Sequence, residues 1–139
     1  VVELAKQELG SLTGKAITML GISFKPDSDD LRDSPALEIS QRLTALGAKV
    51  TVHDPVSLIP LATRSPELLR NENLMSAATG AELVILGTEW KQYRDIDSVE
   101  LGAVVAVKTI IDGRNVLDVA KWQAAGWRVI ALGRNVHNG

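Results

Sequence analysis

Short apolar runs alternate with segments of helical spacing along this chain. Runs of five to seven residues, apolar enough for strands buried on both faces, occupy residues 15–21, 49–53, 81–87 and 127–132, and a further strand must be drawn from 104–111. Apolar residues at helical spacing predict helices over 35–46, 66–79, 97–103 and 119–125. Strands that alternate with helices form parallel sheets covered on both faces. The sequence therefore predicts an α/β, doubly wound, Rossmann-like three-layer domain with a mainly parallel sheet of about five strands.

Capping residues set the limits of several elements. Ser34 suits the cap of the helix that follows it, and Pro35 suits the first helical position, where a missing N–H costs nothing. Residues 1–9 also have helical spacing and are followed by Gly10. The chain begins with neither Met nor a signal-peptide pattern, so we expect residues 1–10 to be the end of a preceding interdomain helix. Residues 11–139 would then form the domain itself.

Composition and charge exclude several classes of protein. At 139 residues the chain has the size of one compact domain. Fifteen Lys and Arg against seventeen Asp and Glu give a net charge of −2, too little positive charge for a broad nucleic-acid surface. No apolar run approaches the ~20 residues that span a bilayer, and the absence of Cys excludes disulfides, thiolate metal sites and a Cys nucleophile. We expect a cytoplasmic protein with neither a nucleic-acid nor a membrane partner.

Cationic side chains mark the predicted ligand edge of the sheet. In open parallel sheets, ligands bind beyond the carboxyl ends of the strands. Lys25 and Arg32 lie in the loop after the first strand, and Arg114 follows the fourth. Taken singly, each is explained as a surface cation paired with a nearby Asp. Together they favour a small anionic ligand such as a diphosphate.

Three other site chemistries are weaker. The first strand is followed by Gly21 alone, without the further glycines of a dinucleotide-binding loop. A phosphoacceptor site could use Asp54 and Thr88, but the acidic pair that it needs lies well beyond the first strand. Four carboxylates could hold a hard cation: Asp27, Asp29, Asp30 and Asp33. Their position is explained better by turn formation and by stabilisation of the start of the following helix.

The aromatic and histidine residues add little chemistry. Trp122 and Trp127 are expected to pack the last helix against the sheet, whereas Trp90, at a strand end, suits either packing or stacking on a ligand. His53 is expected to end the second strand and His137 lies in the tail, so no catalytic His pairing is supported.

Four motifs carry a resemblance to a known family. The segment from Gly21 to Ala36, GISFKPDSDDLRDSPA, is followed by Val52-His53-Asp54-Pro55, Thr88-Glu89-Trp90 and Asp112-Gly113-Arg114-Asn115-Val116-Leu117-Asp118. With them the chain closely resembles, over nearly its whole length, the C-terminal domain of the UDP-glucose/GDP-mannose dehydrogenase family. Ser28 stands where Thr is more usual in that family.

The resemblance implies a function that the residues alone do not give. Family members oxidise the C6 hydroxyl of a nucleotide sugar in two hydride transfers to NAD, which an N-terminal domain binds, and a central helical region forms a dimer. By resemblance, Phe24, Lys25 and Arg114 would bind the UDP-sugar, and Arg32 would reach the NAD. The family's catalytic Cys and Gly-rich NAD loop have no counterpart here. The resemblance thus implies the nucleotide-sugar-binding domain of a UDP-glucose 6-dehydrogenase, inactive alone and partnered by the N-terminal and central domains of a parent chain.

Two alternatives stay open at this point. The parent enzyme could act on GDP-mannose or UDP-N-acetylmannosamine, and the Asp112-Gly113-Arg114-Asn115 run favours UDP-glucose only weakly. The chain could also be a stand-alone nucleotide-binding or regulatory module that kept the fold without the partner domains.

Overall fold

A computed structural model of the chain describes residues 1–23, 31 and 34–132. Seven helices lie in this part of the chain: α1 (Val2–Leu9), α2 (Pro35–Ala45), α3 (Leu58–Arg64), α4 (Leu74–Ala78), α5 (Lys91–Arg94), α6 (Ser98–Val104) and α7 (Val119–Ala124). Six strands accompany them, with α5 and α6 both lying between the fourth and fifth: β1 (Ala16–Leu20), β2 (Lys49–His53), β3 (Leu69–Arg70), β4 (Leu83–Leu86), β5 (Thr109–Asp112) and β6 (Arg128–Ala131). In the described residues, no helix is long and apolar enough to cross a membrane.

The strands form one open sheet in the order β3-β2-β1-β4-β5-β6. Every neighbouring pair is parallel, with Ile17 opposite Val50 on one side and Leu83 on the other. This is the strand order of the doubly wound dinucleotide-binding fold, with the direction of winding reversed between β1 and β4. The α/β prediction is confirmed, with one strand more than the sequence suggested.

Both faces of the sheet are buried, as the uninterrupted apolar runs predicted. Along β4, Leu83 and Ile85 pack in the cluster that α1, α2 and α3 cover. The intervening Val84 and Leu86 pack in the cluster under α4, α6 and α7. Because successive side chains of a strand point to opposite faces, this alternation requires a layer of helices on each side.

The last layer is closed by a tryptophan pair. Trp122 on α7 and Trp127, just before β6, meet edge to face with ring centroids 5.0 Å apart. The indole N–H of Trp127 donates to the carbonyl of Ser98 at 2.9 Å. Both rings are almost fully buried, which confirms that they pack the last helix against the sheet.

The segment before β4 departs most from the sequence prediction. The helix expected over 66–79 is wrong: residues 69–70 form β3, and only Leu74–Ala78 is helical. Leu69 pairs with Thr51 at the sheet edge and stays half exposed, so a two-residue strand leaves little apolar periodicity to detect. Asn73 then starts α4, accepting the N–H of Ser76 at 2.8 Å. Helices α3 and α5 were also not predicted.

Candidate functional site

The carboxyl ends of β1, β4 and β5 lie side by side where the sheet reverses its winding. Each strand continues into a glycine whose N–H donates to the neighbouring strand: Gly21 to His53 at 2.8 Å, Gly87 to Leu20 at 2.8 Å and Gly113 to Leu86 at 3.0 Å. A Cβ on Gly87 would lie 2.7 Å from the carbonyl oxygen of Gly21. Only glycine therefore lets these backbones approach so closely at the edge where ligands bind in such sheets.

A pocket of about 160 Å³ opens at this edge, between the strand ends and the start of α2. Its walls are mostly apolar, with Met19, Ile39 and Ile85 among them, and Arg114 is the charged residue of its lining. Apolar walls with few polar groups are typical of small-molecule sites. The lining is completed by Val1, Pro35, Ala36, Leu86, Gly87, Gly113 and Leu132.

Arg114 lies where the sequence placed it, after β5 at the carboxyl edge. Its Nη2 donates to Oε1 of Glu89 at 3.3 Å, and the two side chains are 34% and 41% exposed. Since Glu89 follows β4 and Arg114 follows β5, the ion pair joins the loops after two neighbouring strands. The guanidinium keeps further N–H donors for an anionic ligand.

Asp112, the last residue of β5, is fully buried and binds the loop that carries Arg114. Its Oδ1 accepts the N–H of Arg114 at 3.0 Å, and its Oδ2 accepts those of Val116 and Leu117, each at 2.9 Å. Between them, Asn115 adopts a left-handed conformation with φ 58°. The carboxylate thus holds the backbone on both sides of a tight turn.

Asp54 does the same at the end of β2. Its Oδ2 accepts the N–H of Ile22 at 2.8 Å and that of Ser23 at 3.3 Å, and its Oδ1 accepts the N–H of Val56 and Ser57. The residue is 3% exposed. A carboxylate with both oxygens so engaged suits neither phosphoryl transfer nor a cofactor ribose, which argues against the phosphoacceptor interpretation.

Two hydroxyls fasten the loop after β1. The Thr88 hydroxyl donates to the carbonyl of Ser23 at 3.0 Å, linking the ends of β1 and β4. The Ser34 hydroxyl donates to the carbonyl of Ile22 and accepts the N–H of Leu37, so it caps α2 as the sequence predicted. Hydrogen bonds therefore hold Ser23, just after β1, and Ser34, just before α2.

A buried His–Tyr pair lies beside this edge. Tyr93 Oη is 2.9 Å from Nδ1 of His53 and donates to the His53 carbonyl at 3.0 Å. Burial lowers the pKa of His53, against the opposing effects of Asp54 and a hydrogen bond to the Glu72 backbone. Burial, reinforced by Asp54, raises the pKa of Tyr93 well above its usual range. Both groups are neutral near pH 7 and serve packing, and His53 ends β2 as predicted.

Several predicted site residues lie outside the described residues: Phe24, Lys25, Arg32, and with them Asp27, Asp29, Asp30, Asp33 and His137. Of the predicted cations, the structure therefore places Arg114 alone. In the part of the chain that it describes, no group of three or more His, Asp or Glu side chains could hold a metal ion.

Sequence reasoning missed the groups that organise Arg114. Glu89 and Asp112 were noticed only as members of motifs, and neither was given a role. Asp54 and Asp112 share one signal that could have identified them: an Asp at the end of a buried strand, directly before Pro55 or Gly113. Trp90 is partly buried against the α4–α7 cluster, which favours packing over ligand stacking.

Comparison with known proteins bears on this site. The profile described as UDP-glucose/GDP-mannose dehydrogenase family, UDP binding domain, matches residues 18–119. The UDP-glucose 6-dehydrogenase YwqF of Bacillus subtilis is 32% identical over 135 residues, which are 96% of this chain and 31% of that protein. The chain thus spans just under a third of this relative.

Solved structures agree with the sequence matches. A UDP-glucose dehydrogenase from the archaeon Pyrobaculum islandicum superposes with a TM-score of 0.75 at 31% identity, over 95% of this chain and 28% of that one. An NDP-N-acetyl-D-galactosaminuronic acid dehydrogenase from Methanosarcina mazei Go1 gives a TM-score of 0.81 at 27% identity, over 99% of this chain and 30% of that one.

Proposed function

Because the chain belongs to the UDP-glucose/GDP-mannose dehydrogenase family, as its UDP-binding domain, we propose that it binds the UDP-sugar substrate of a UDP-glucose 6-dehydrogenase. The observation that carries this proposal is Arg114 in the lining of the pocket where the sheet reverses its winding. A guanidinium there can donate two parallel hydrogen bonds to a phosphate or to sugar oxygens. Phe24 and Lys25 are proposed to complete the contacts from the loop after β1.

By the family resemblance, the reaction of the whole enzyme uses groups that this chain does not contain. The chain has no Cys to form a covalent intermediate during oxidation of an alcohol to a carboxylate. It covers 31% of its Bacillus subtilis relative. We therefore propose that this part of the protein supplies substrate binding and is inactive alone, with catalysis and dimer formation assigned to the N-terminal and central domains of a parent chain.

The described residues do not fit NAD at the position that a primary dinucleotide site occupies in this fold. Gly21 is followed by Ile22 and Ser23 rather than by further glycines, and Asp54 has no free oxygen for a ribose hydroxyl. We propose that NAD is held mainly by the N-terminal domain, with Arg32 of this chain reaching it. Helix α1, which packs on the core through Val2 and Ala5, is proposed to be the end of the interdomain helix.

The test is calorimetric titration of the 139-residue chain with UDP, UDP-glucose, UDP-N-acetylmannosamine, GDP-mannose and inorganic pyrophosphate. We expect UDP and UDP-glucose to bind, and Arg114→Ala to weaken UDP about 10- to 100-fold, the value of a charge-assisted hydrogen bond. Arg128→Ala is the matched control, because Arg128 also pairs with a glutamate, Glu8 at 2.8 Å, but at the amino end of β6.

Two results would contradict the proposal. One is UDP binding that Arg114→Ala leaves unchanged, since the site would then lie elsewhere. The other is equal affinity for UDP and pyrophosphate, since the pocket would then recognise charge without the nucleoside. Preference for UDP-N-acetylmannosamine or GDP-mannose over UDP-glucose would keep the nucleotide-sugar-binding assignment and replace UDP-glucose as the parent enzyme's substrate.

A further inference from the structure

The backbone around Arg114 has one common hydrogen-bond acceptor. Three N–H groups, those of Arg114, Val116 and Leu117, point at the two oxygens of Asp112 at 2.9–3.0 Å. The Asp112 side chain is fully buried, so water does not compete for these bonds. All three partners are main-chain donors, which makes the contact insensitive to the side chains of the loop.

This arrangement determines where the Arg114 side chain begins. The bond to Arg114 N fixes the residue from its amino side, and the bonds to Val116 and Leu117 fix the chain two and three residues later. Between these bonds, Asn115 has a left-handed φ of 58°. The side chain leaves the turn toward Glu89, whose carboxylate it contacts at 3.3 Å.

A carboxylate is the chemical group that this position requires. Both of its oxygens accept hydrogen bonds, and its negative charge strengthens each bond with an N–H dipole. In Asp112→Asn, one oxygen becomes an NH₂ group of the same size that cannot accept. Either the Arg114 N–H or the two N–H groups bound to Oδ2 would lose their partner in a buried site.

We propose that Asp112 is the positioning residue for Arg114: its buried carboxylate sets the turn that places the guanidinium at the UDP-sugar pocket. Asp112 does not itself contact the ligand in this assignment. The inference rests on the proposed function as far as UDP is concerned, whereas control of the loop geometry by Asp112 can be measured without any ligand.

The test compares Asp112→Asn with Asp97→Asn in the 139-residue chain. Asp97 is a fair control because its carboxylate also accepts two main-chain N–H groups, those of Val99 and Glu100, but at the start of α6. Amide hydrogen exchange by NMR at residues 114, 116 and 117 reports the turn. Calorimetry with UDP, in the Arg114 and Arg114→Ala backgrounds, reports its effect on binding.

We expect Asp112→Asn to accelerate exchange at the three loop amides at least about 10-fold relative to core amides, and to weaken UDP about 10-fold. In the Arg114→Ala background the same change should leave UDP affinity within about twofold, because its effect on binding passes through Arg114. Asp97→Asn should alter neither loop exchange nor affinity, although it destabilises the fold.

The outcomes separate the two proposals. Unchanged exchange at residues 114, 116 and 117 in Asp112→Asn would overturn the positioning role, whether or not UDP binds. An equal loss of UDP affinity with and without Arg114 would overturn it too, because Asp112 would then act on folding or on another contact. A failure of the unsubstituted chain to bind UDP, with loop exchange accelerated as expected, would contradict the proposed function and support the positioning.

Discussion

Glu89 and Arg114 form an ion pair across the carboxyl ends of β4 and β5, with 3.3 Å between Oε1 and Nη2. Both side chains are more than a third exposed. Such a pair adds at most about 1 kcal/mol to folding stability. The ion pair matters more for ligand binding, because the negative charge of Glu89 partly neutralises Arg114, the cation that we propose binds the ligand.

Glu89→Gln is therefore expected to raise the affinity for UDP. Removing the negative charge leaves Arg114 unopposed and removes repulsion of the diphosphate, for a gain of about two- to fivefold. The measurement is calorimetric titration at low salt, and the gain should shrink at high salt. Glu8→Gln, which breaks the pair with Arg128, should leave the affinity unchanged. A loss of affinity in Glu89→Gln would show instead that Glu89 orients the guanidinium.

Gly21→Ala is expected to destabilise the fold by about 2–4 kcal/mol. Gly21 has φ 90°, and an added Cβ would lie 2.6 Å from Cβ of Thr88, the residue that links the β1 and β4 loops. Gly14→Ala is the control, since Gly14 has φ 74° and nothing within 4 Å of the new atom. It should cost only about 1 kcal/mol from backbone strain. If urea denaturation showed equal losses of unfolding free energy for Gly21→Ala and Gly14→Ala, crowding against Thr88 would not explain the effect.

Ser34→Ala should cost about 1–2 kcal/mol of folding free energy. It removes the cap bond to Leu37 N and leaves the Ile22 carbonyl without its hydroxyl donor. Ser57 occupies the same position before α3, but its buried hydroxyl has no hydrogen-bond partner. Ser57→Ala should be neutral or slightly stabilising. The free energies of unfolding of both variants are measured by chemical denaturation. Similar losses in the two would show that the hydrogen bonds of Ser34 are not responsible.

Stability should fall as the pH drops below about 6.5, the ordinary pKa of histidine. The pKa of His53 is lowered in the folded protein, so the unfolded chain binds the proton more readily. The contribution of His53 is fully present above pH 6.5 and is lost as the pH falls through its lower folded pKa. His53→Gln should flatten the dependence of the unfolding free energy on pH between about 5.5 and 7.5, as measured by urea denaturation. If the unfolding free energy of His53→Gln depended on pH as strongly as that of the unsubstituted chain, a group other than His53 would be responsible.

The alternation of apolar runs and helical spacing was sufficient to predict the layered α/β fold. A strand such as Leu83–Leu86, apolar at every position, is stable only between two layers of helices, so burial on both faces is written in the residues themselves. Strand β3 escaped prediction because Leu69 and Arg70 become a strand only by pairing with Thr51 and Val52. That pairing depends on residues far away in the sequence.

The candidate site also has features that the sequence determined and features that depend on tertiary structure. Sequence alone determined the fold class, the edge at which we propose that a ligand binds, and Arg114 as a cation at that edge, because residue type and strand direction suffice for each. Only the tertiary structure decided that Glu89 opposes Arg114 and that Asp112 holds its turn. These contacts depend on the register and direction of neighbouring strands, and on which oxygens remain free once main-chain N–H groups have taken their partners. The local spacing of residues in the sequence encodes neither the strand register nor the choice of hydrogen-bond partners.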